Sequence, residues 1–152
     1  MTAINGSTAV VTGGQRGLGK ALAAQPLSHG ATGRQLLSRG ATNVYATAPR
    51  PHEAGHARLI PAGTDVTDPA SVTTLAAATG DATIVINNAG LSPVLYLDDT
   101  DLTDAAALFA TTFLVPLRVI QIIAAAAMTR RGRVFLQNRS KSAQFRRVGT
   151  QQ

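Results

Sequence analysis

A short apolar segment that ends directly in glycines constrains the fold of this 152-residue chain more than any other feature. Residues 7–12, STAVVT, are small or β-branched, and they predict a strand buried on both faces. Residues 12–19, TGGQRGLG, then form a glycine-rich turn, and residues 17–24 offer an apolar helical side. A strand, a glycine turn and a helix in this order present backbone N–H groups at a helix N-terminus, where a phosphate group binds.

Strand-like and helix-like segments alternate along the rest of the chain. Strands are predicted at residues 43–48, 58–61, 83–87 and 133–136, and helices at residues 69–78 and 101–128. Asp68 and Pro69 supply a cap and a proline at the first position of the first of these helices. Pro116 predicts a bend in the second. The alternation predicts an α/β fold, a doubly wound parallel sheet with helices on both faces.

An internal duplication interrupts this alternation. Residues 25–32, QPLSHGAT, and residues 35–42, QLLSRGAT, are identical at six of eight positions. Only one copy can complete the first helix and turn into the second strand, so we expect the other copy to form a surface loop. Pro26 makes the first copy the poorer helix, because proline removes a backbone N–H and clashes with the preceding turn.

Composition excludes several classes of site. The chain has no cysteine, which excludes disulfides, thiolate metal sites and a cysteine nucleophile. Its three histidines, His29, His52 and His56, have no ligand-like spacing with carboxylates, so no metal site is predicted. The absence of tryptophan and the scarcity of other aromatic residues argue against a stacking platform for single-stranded nucleic acid.

The net charge of +6 comes from one end of the chain. Residues 1–104 hold 6 basic and 8 acidic side chains, whereas residues 105–152 hold 8 basic and no acidic ones. We predict that residues 137–152 form a basic, disordered tail. Such a tail indicates either an arm that contacts polyanions nonspecifically or a stretch of different origin. It carries no recognised nucleic-acid fold, so a nucleic-acid partner is not favoured.

The most apolar segment, residues 105–128, contains Pro116, Arg118 and Gln121. A transmembrane helix needs about 20 residues with few or no charges, and the first residues have neither a basic region nor a long apolar core typical of a secretory signal. The sequence therefore predicts a cytoplasmic protein with no membrane segment.

Three motifs in order resemble the short-chain dehydrogenase/reductase family. TGGQRGLG has that family's TGxxxGxG spacing, Asp65-Val66 follows the third strand, and residues 87–90 read NNAG after the fourth. The resemblance extends from about residue 7 to residue 136. It implies a Rossmann domain over residues 1–136, including the duplicated segment 25–42, truncated after about the fifth strand. The family's activity is hydride transfer between a nicotinamide and an alcohol/carbonyl pair.

The resemblance also implies a cofactor site for a dinucleotide. We expect NADP in preference to NAD, because Ala48 stands where NAD-preferring members carry an acidic residue, and Arg16 and Arg50 lie close by in the sequence. Arg50 would reach the 2′-phosphate, Asp65 and Val66 would flank the adenine, and Asn88, Ala89 and Gly90 would line the ribose. The residues expected around the pyrophosphate and 2′-phosphate are Gly13, Gln15, Arg16, Gly17, Leu18 and Gly19.

The sequence departs from the family at the catalytic residues. The family's Tyr-x-x-x-Lys is absent: Pro49 stands four residues after Tyr45, and Thr100 four residues after Tyr96. The family's serine falls at Arg139, next to Ser140, its helical asparagine falls near Thr112, and its tyrosine is expected near Gln152. We therefore assign no catalytic residue and expect a truncated or frame-shifted reductase that binds NADP without turnover.

Two alternatives to this function are open. The chain could be a non-catalytic assembly or regulatory module, because its 101–128 helix resembles the one that family members use in subunit contacts and could form a homo-oligomer. The lesser alternative is nonspecific polyanion binding by the basic tail.

Overall fold

A computed structural model of the chain describes residues 4–15, 35–53, 56–90, 94–96, 102–126, 134–137 and 144–146. The strands are β1 (Thr8–Val11), β2 (Asn43–Ala48), β3 (Leu59–Gly63), β4 (Ile84–Asn87), β5 (Val94–Tyr96), β6 (Val134–Gln137) and β7 (Gln144–Arg146). The helices are α1 (Gln35–Ser38), α2 (Pro69–Ala78), α3 (Leu102–Phe109) and α4 (Val115–Ala126), with a π-helical segment, Ala110–Leu114, between the last two.

Five of the strands form one parallel sheet in the order β3-β2-β1-β4-β6. β1 lies in the middle and all four of its residues are buried, as its β-branched sequence predicts. The strand order reverses between β1 and β4, and in open α/β sheets such a reversal leaves a crevice at the carboxyl ends of the strands. The predicted doubly wound parallel sheet is confirmed.

Alternate residues of the central strands face two separate cores. Ala9 and Val11 of β1 pack with Leu36 and Leu37 of α1 on one side of the sheet. On the other side, Val85 of β4 belongs to a cluster built mainly from α2 and α4. The members of this second cluster are Val72, Ala76, Val85, Val115, Val119 and Ile123. Because both faces are covered, the strands are apolar on both sides.

The second copy of the duplicated segment leads from α1 into β2. Gly40 has a φ of 89°, and its N–H donates to the carbonyl of Leu37 at 3.2 Å. The N–H of Ala41 donates to the carbonyl of Leu36 at 2.8 Å, which completes a glycine-terminated helix end. The second copy therefore makes the turn into the second strand. The first copy and the predicted helix at 17–24 lie outside the described residues.

The helix predicted at residues 69–78 is α2, with the same bounds. The Asp68 carboxylate accepts hydrogen bonds from the N–H groups of Ala70 and Ser71, at 3.0 and 3.2 Å, and Pro69 occupies the first turn. A side-chain oxygen at this position satisfies N–H groups that have no partner within the helix. The strand predictions at 43–48, 58–61, 83–87 and 133–136 agree with β2, β3, β4 and β6 to within two residues at each end.

The predicted helix at 101–128 is interrupted before Pro116 rather than simply bent. Pro116 has no N–H to donate to the helix. Just before it, the N–H of Val115 donates to the carbonyl of Ala110, five residues back rather than four. The result is the π-helical segment between α3 and α4.

A second, two-stranded parallel sheet pairs β5 with β7. Neither strand was predicted, and β7 lies within residues 137–152, for which we predicted no regular structure. That prediction is wrong at residues 144–146. Each strand has three residues, too few to show an alternation of apolar and polar side chains.

Within the described part of the chain, one helical stretch, Leu102–Ala126, is long and apolar enough to cross a membrane, with a mean hydropathy of 1.8. A mostly buried core helix of a soluble domain meets the same criterion; here 22% of the apolar window is buried, including Val115, Val119 and Ile123, which pack with Val72 and Ala76 of α2 and Val85 of β4. The cytoplasmic location stays a prediction from the sequence.

Candidate nucleotide-binding site

The turn after β1 and the loop after β4 are joined by a hydrogen-bond junction at the carboxyl end of the sheet. The Thr12 hydroxyl oxygen accepts the N–H groups of Asn88 and Ala89, both at 3.0 Å. In return, the Asn88 side-chain amide donates to the carbonyls of Thr12 at 3.0 Å and Gly13 at 3.3 Å. Thr12 and Asn88 are both buried, so these groups satisfy one another without water. The junction fixes the two loops that border the crevice.

The first two glycines of the turn are required by close packing. Gly13 has a φ of 64°, and a Cβ there would lie 3.0 Å from the Ala89 Cα. A Cβ at Gly14 would lie 2.8 Å from the Val11 carbonyl oxygen and 2.9 Å from the Ala46 Cα. Gly14 was not among the predicted site residues, because the family spacing leaves its position unspecified. The signal was present, however, in the second glycine of the TGG sequence.

Gln15 engages the segment that follows β2. Its side-chain Nε2 donates to the carbonyl of His52 at 2.8 Å, and its Oε1 accepts the N–H of His52 at 2.9 Å. Gln15 is buried, whereas His52 is exposed. The two residues line an open cavity of about 430 Å³, whose described lining is Gln15, Ala48, Pro49, Arg50 and His52. His52 was not among the predicted site residues, because it makes this contact through its backbone and its side-chain type gives no signal.

Asp65 and Val66 follow β3 and have local contacts. The Asp65 carboxylate accepts the hydroxyl of Thr67 at 2.6 Å and the N–H of Thr67 at 2.9 Å. The hydroxyl bond, with the backbone bond second, lowers the pKa of Asp65 below its ordinary value of 3.8. Val66 packs against the cluster of α2 and α4. Neither residue is among those that line the cavity.

The structure therefore brings the predicted cofactor residues together in two places. Gly13, Asn88 and Ala89 meet at the junction of the β1 and β4 loops, and Gly90 follows them in the chain. Gln15 and Arg50 line the cavity beyond β2. Four further predicted residues lie outside the described residues: Arg16, Gly17, Leu18 and Gly19.

The described part of the chain includes two residues at positions that bear on the family's chemistry, Thr112 and Tyr45. Thr112, at the place of the family's helical asparagine, lies in the π-helical segment. Tyr45 is half-buried in β2 and packs against a small cluster of Val10, Leu75 and Ala82. In the ranges that the structure describes, no group of three His, Asp or Glu side chains could hold a metal ion.

A parallel sheet that reverses its strand order beside a glycine turn defines a Rossmann-type α/β domain. The family model described as short chain dehydrogenase matches residues 7–144. The chain belongs to the short-chain dehydrogenase family.

Solved structures of the family share this fold. A short chain dehydrogenase from Burkholderia cenocepacia J2315, in complex with NADP, is 29% identical with a TM-score of 0.74, covering 90% of this chain and 54% of that one. A short chain dehydrogenase/reductase family protein is 27% identical with a TM-score of 0.70, covering 90% of this chain and 56% of that one. Thermoplasma acidophilum aldohexose dehydrogenase, 17% identical with a TM-score of 0.69 (88% and 49% covered), shares the fold. This chain spans about half the length of each.

Proposed function

We propose that this chain binds a nicotinamide dinucleotide at the carboxyl end of its sheet, with NADP preferred to NAD. The family match and the solved relative in complex with NADP support the dinucleotide. The observation that carries the preference is the cavity beyond β2, where, among the residues that the structure describes, Arg50 is part of the lining and no acidic residue is. A guanidinium favours a 2′-phosphate, whereas a carboxylate at this place would favour a ribose hydroxyl.

The described residues fit such a ligand on steric grounds as well. Gly13 and Gly14 let the turn pack against Ala89 and Ala46, where a Cβ would collide. In Rossmann-type folds, a dinucleotide pyrophosphate binds at a glycine turn of this kind, against its backbone N–H groups. Thr12 and Asn88 hold the turn in place through the junction between the two loops. When bound, a nicotinamide dinucleotide supplies hydride transfer.

We further propose that these 152 residues do not turn over a substrate by themselves. The family's chemistry relies on a tyrosine whose pKa is lowered by a lysine four residues later, since a tyrosine near its ordinary pKa of about 10 is a poor base at neutral pH. Lys20 and Lys141 are the two lysines of the chain, and neither stands four residues after a tyrosine. The expected behaviour is binding without reduction of a carbonyl compound.

The test of the proposed function is thermal unfolding with NADPH and with NADH. A ligand present at about 100 times its dissociation constant stabilises the folded state by roughly 2.7 kcal/mol. We expect a larger rise in Tm with NADPH than with NADH, and we expect Arg50→Gln to reduce the NADPH shift to the NADH value. Arg39→Gln, which removes another exposed arginine of the described chain, is the matched control and should leave both shifts unchanged.

Each contrary result has a distinct meaning. If neither cofactor changes the Tm, the proposed nucleotide binding is wrong. If both cofactors raise the Tm equally, dinucleotide binding stands and the NADP preference is wrong. If Arg39→Gln lowers the NADPH shift as much as Arg50→Gln does, the preference does not arise from the cavity beyond β2.

A second candidate function, self-association, is favoured by an exposed apolar face on the α3–α4 helix. The exposed fractions of Leu102, Phe109, Phe113, Leu114 and Leu117 range from 48% to 84%. The rings of Phe109 and Phe113 stack with their centroids 5.4 Å apart. A contiguous apolar surface of this kind marks interaction sites on soluble proteins. We propose that this face associates with the same face of a second copy.

Sedimentation equilibrium tests this association. The wild-type chain should show a mass above the 15.7 kDa of one copy, and the double variant Phe109→Gln/Phe113→Gln should sediment as a monomer. Thr73→Gln/Thr74→Gln, on the exposed side of α2, is the matched control and should leave the wild-type mass unchanged. A wild-type chain that is monomeric at all accessible concentrations contradicts the proposal.

A further inference from the structure

The Gln15 side chain and the His52 backbone form a two-point contact across the cavity beyond β2. One terminal amide both donates to the His52 carbonyl at 2.8 Å and accepts from the His52 N–H at 2.9 Å. The contact joins residues 37 positions apart in the chain, and Gln15 is only 6% exposed. A buried amide satisfied in this way is held in one orientation, because breaking either bond leaves a buried polar group without a partner.

The contact anchors the short segment that carries Arg50. At one end of this segment, the Ala48 carbonyl accepts the N–H of Thr64 at 2.9 Å, as the last rung between β2 and β3. At the other end, His52 is held by Gln15. Pro49 and Pro51 lie on either side of Arg50, and the fixed φ of proline stiffens the chain between the two anchors. The Arg50 backbone is therefore held from both sides.

We propose that Gln15 is a positioning residue that sets the preference for a 2′-phosphate through Arg50, rather than by contacting the ligand. This inference rests on the proposed function, in which the cavity receives the 2′-phosphate end of a dinucleotide. The Gln15 amide holds the 49–52 segment, whose Arg50 is one of the residues that line the cavity. Ordering this segment in advance lowers the entropy lost when the phosphate binds.

The chemistry of the contact is specific to glutamine. An asparagine carries the same amide on a side chain one methylene shorter and cannot span to both atoms of His52 from the same backbone position. A methionine matches the length of glutamine and offers neither hydrogen bond. These two substitutions remove the contact in different ways while leaving Arg50 in the sequence.

The test is a double-mutant cycle on ligand discrimination. We would measure the dissociation constants of adenosine 2′,5′-bisphosphate and AMP by calorimetry for the wild type, Gln15→Met, Arg50→Gln and the double variant. The ratio of the two constants reports the 2′-phosphate alone. We expect Arg50→Gln to lower this discrimination by about tenfold or more, the loss of a hydrogen bond to a charged group. Gln15→Met should lose most of the same factor and leave the AMP constant within about threefold.

Coupling between the two residues is the decisive readout. If Gln15 acts through Arg50, the double variant discriminates no worse than Arg50→Gln alone, because the positioned group is already absent. Gln121→Met, at an exposed glutamine of α4, controls for the substitution itself and should leave the ratio unchanged. Where Gln15→Met does not unfold cooperatively, Gln15→Asn takes its place in the cycle.

Three results would overturn the inference. The first is a Gln15 variant that weakens both ligands equally, which is the sign of a structural role only. The second is a double variant in which the losses of discrimination caused by the Gln15 and Arg50 substitutions multiply. The third is a Gln15 variant that keeps the full discrimination between the two ligands. A wild-type chain that binds neither these ligands nor NADPH overturns the proposed function itself, whereas discrimination that is lost only with Arg50 leaves that function intact.

Discussion

A single hydroxyl group connects the two loops that border the crevice. The Thr12 oxygen accepts two backbone N–H groups of the β4 loop, and the hydroxyl donates to the Ile86 carbonyl with an oxygen–oxygen distance of 3.5 Å. Thr12 and the asparagine that it contacts are 76 positions apart in the chain. Thr12, the last residue before the glycines, therefore also connects two parts of the fold that are distant in the sequence.

Removing this hydroxyl should destabilise the fold. Thr12→Val keeps the shape of the side chain and leaves the N–H groups of Asn88 and Ala89 without an acceptor, at a cost of about 1–3 kcal/mol for each group left unsatisfied. Thr12→Ser keeps the oxygen and should cost less than about 1.5 kcal/mol, for the lost methyl group. Urea unfolding measures both values. Equal losses in the two variants would show that the hydroxyl is not the stabilising group.

At the residue scale, the set of cofactor-binding residues stays a prediction, and the sequence did not indicate the contacts that these residues make within the protein. Gln15 was expected near the phosphates because it lies in the glycine turn. Its side chain bonds the backbone of His52, a pairing that no local pattern encodes because it depends on how the strands are ordered. Thr12 ended a predicted strand, and its link to Asn88 likewise depends on β1 and β4 being neighbours.

The connection between β3 and α2 is a compact polar element. Asp65 accepts two bonds from Thr67, its N–H donates to the Ser71 hydroxyl at 3.0 Å, and Asp68 caps the helix that follows. In this way, the side chains of one short loop satisfy the helix N-terminus and the loop backbone together.

This element should make stability depend on pH at the acid end. The hydrogen bonds from Thr67 lower the pKa of Asp65 below 3.8, so the folded state binds the proton less readily than the unfolded state. The resulting stability is complete well above pH 3.8 and is lost as the pH falls through the lower, folded-state pKa. Thr67→Val removes the hydroxyl bond and should raise the Asp65 pKa in a carboxyl NMR titration, whereas Thr67→Ser should not. An unchanged pKa in Thr67→Val would contradict this cause.

At the element scale, the sequence predicted the strands of four or more residues and the two longer helical stretches, but not the four-residue helix α1 or which face of the long helix would be buried. The long helix carries apolar residues on more than one side, and the structure leaves Phe109, Phe113, Leu114 and Leu117 exposed. Val115, Val119 and Ile123 face the core instead. Because apolar residues occupy both the buried and the exposed face of this helix, a 3.6-residue spacing alone does not identify the buried one.

For the molecule as a whole, the alternation of elements predicted a parallel α/β sheet, and the three motifs indicated the family. The short β5–β7 sheet escaped prediction because pairing between three-residue strands is a property of the tertiary fold. The match over residues 7–144 also extends beyond residue 136, where the sequence pattern was expected to end.

The central position of β1 has a consequence for how this protein is made. Residues 8–11 emerge early from the ribosome. They form the middle of the sheet, where they pair with β2 on one side and β4 on the other. Their second neighbour is complete only when residue 87 has been synthesised. Until then one edge of β1 is unpaired, and an apolar strand with an open edge is a site of aggregation. During synthesis, β1 therefore needs protection from aggregation until β4 has been made, although the finished domain buries β1 completely.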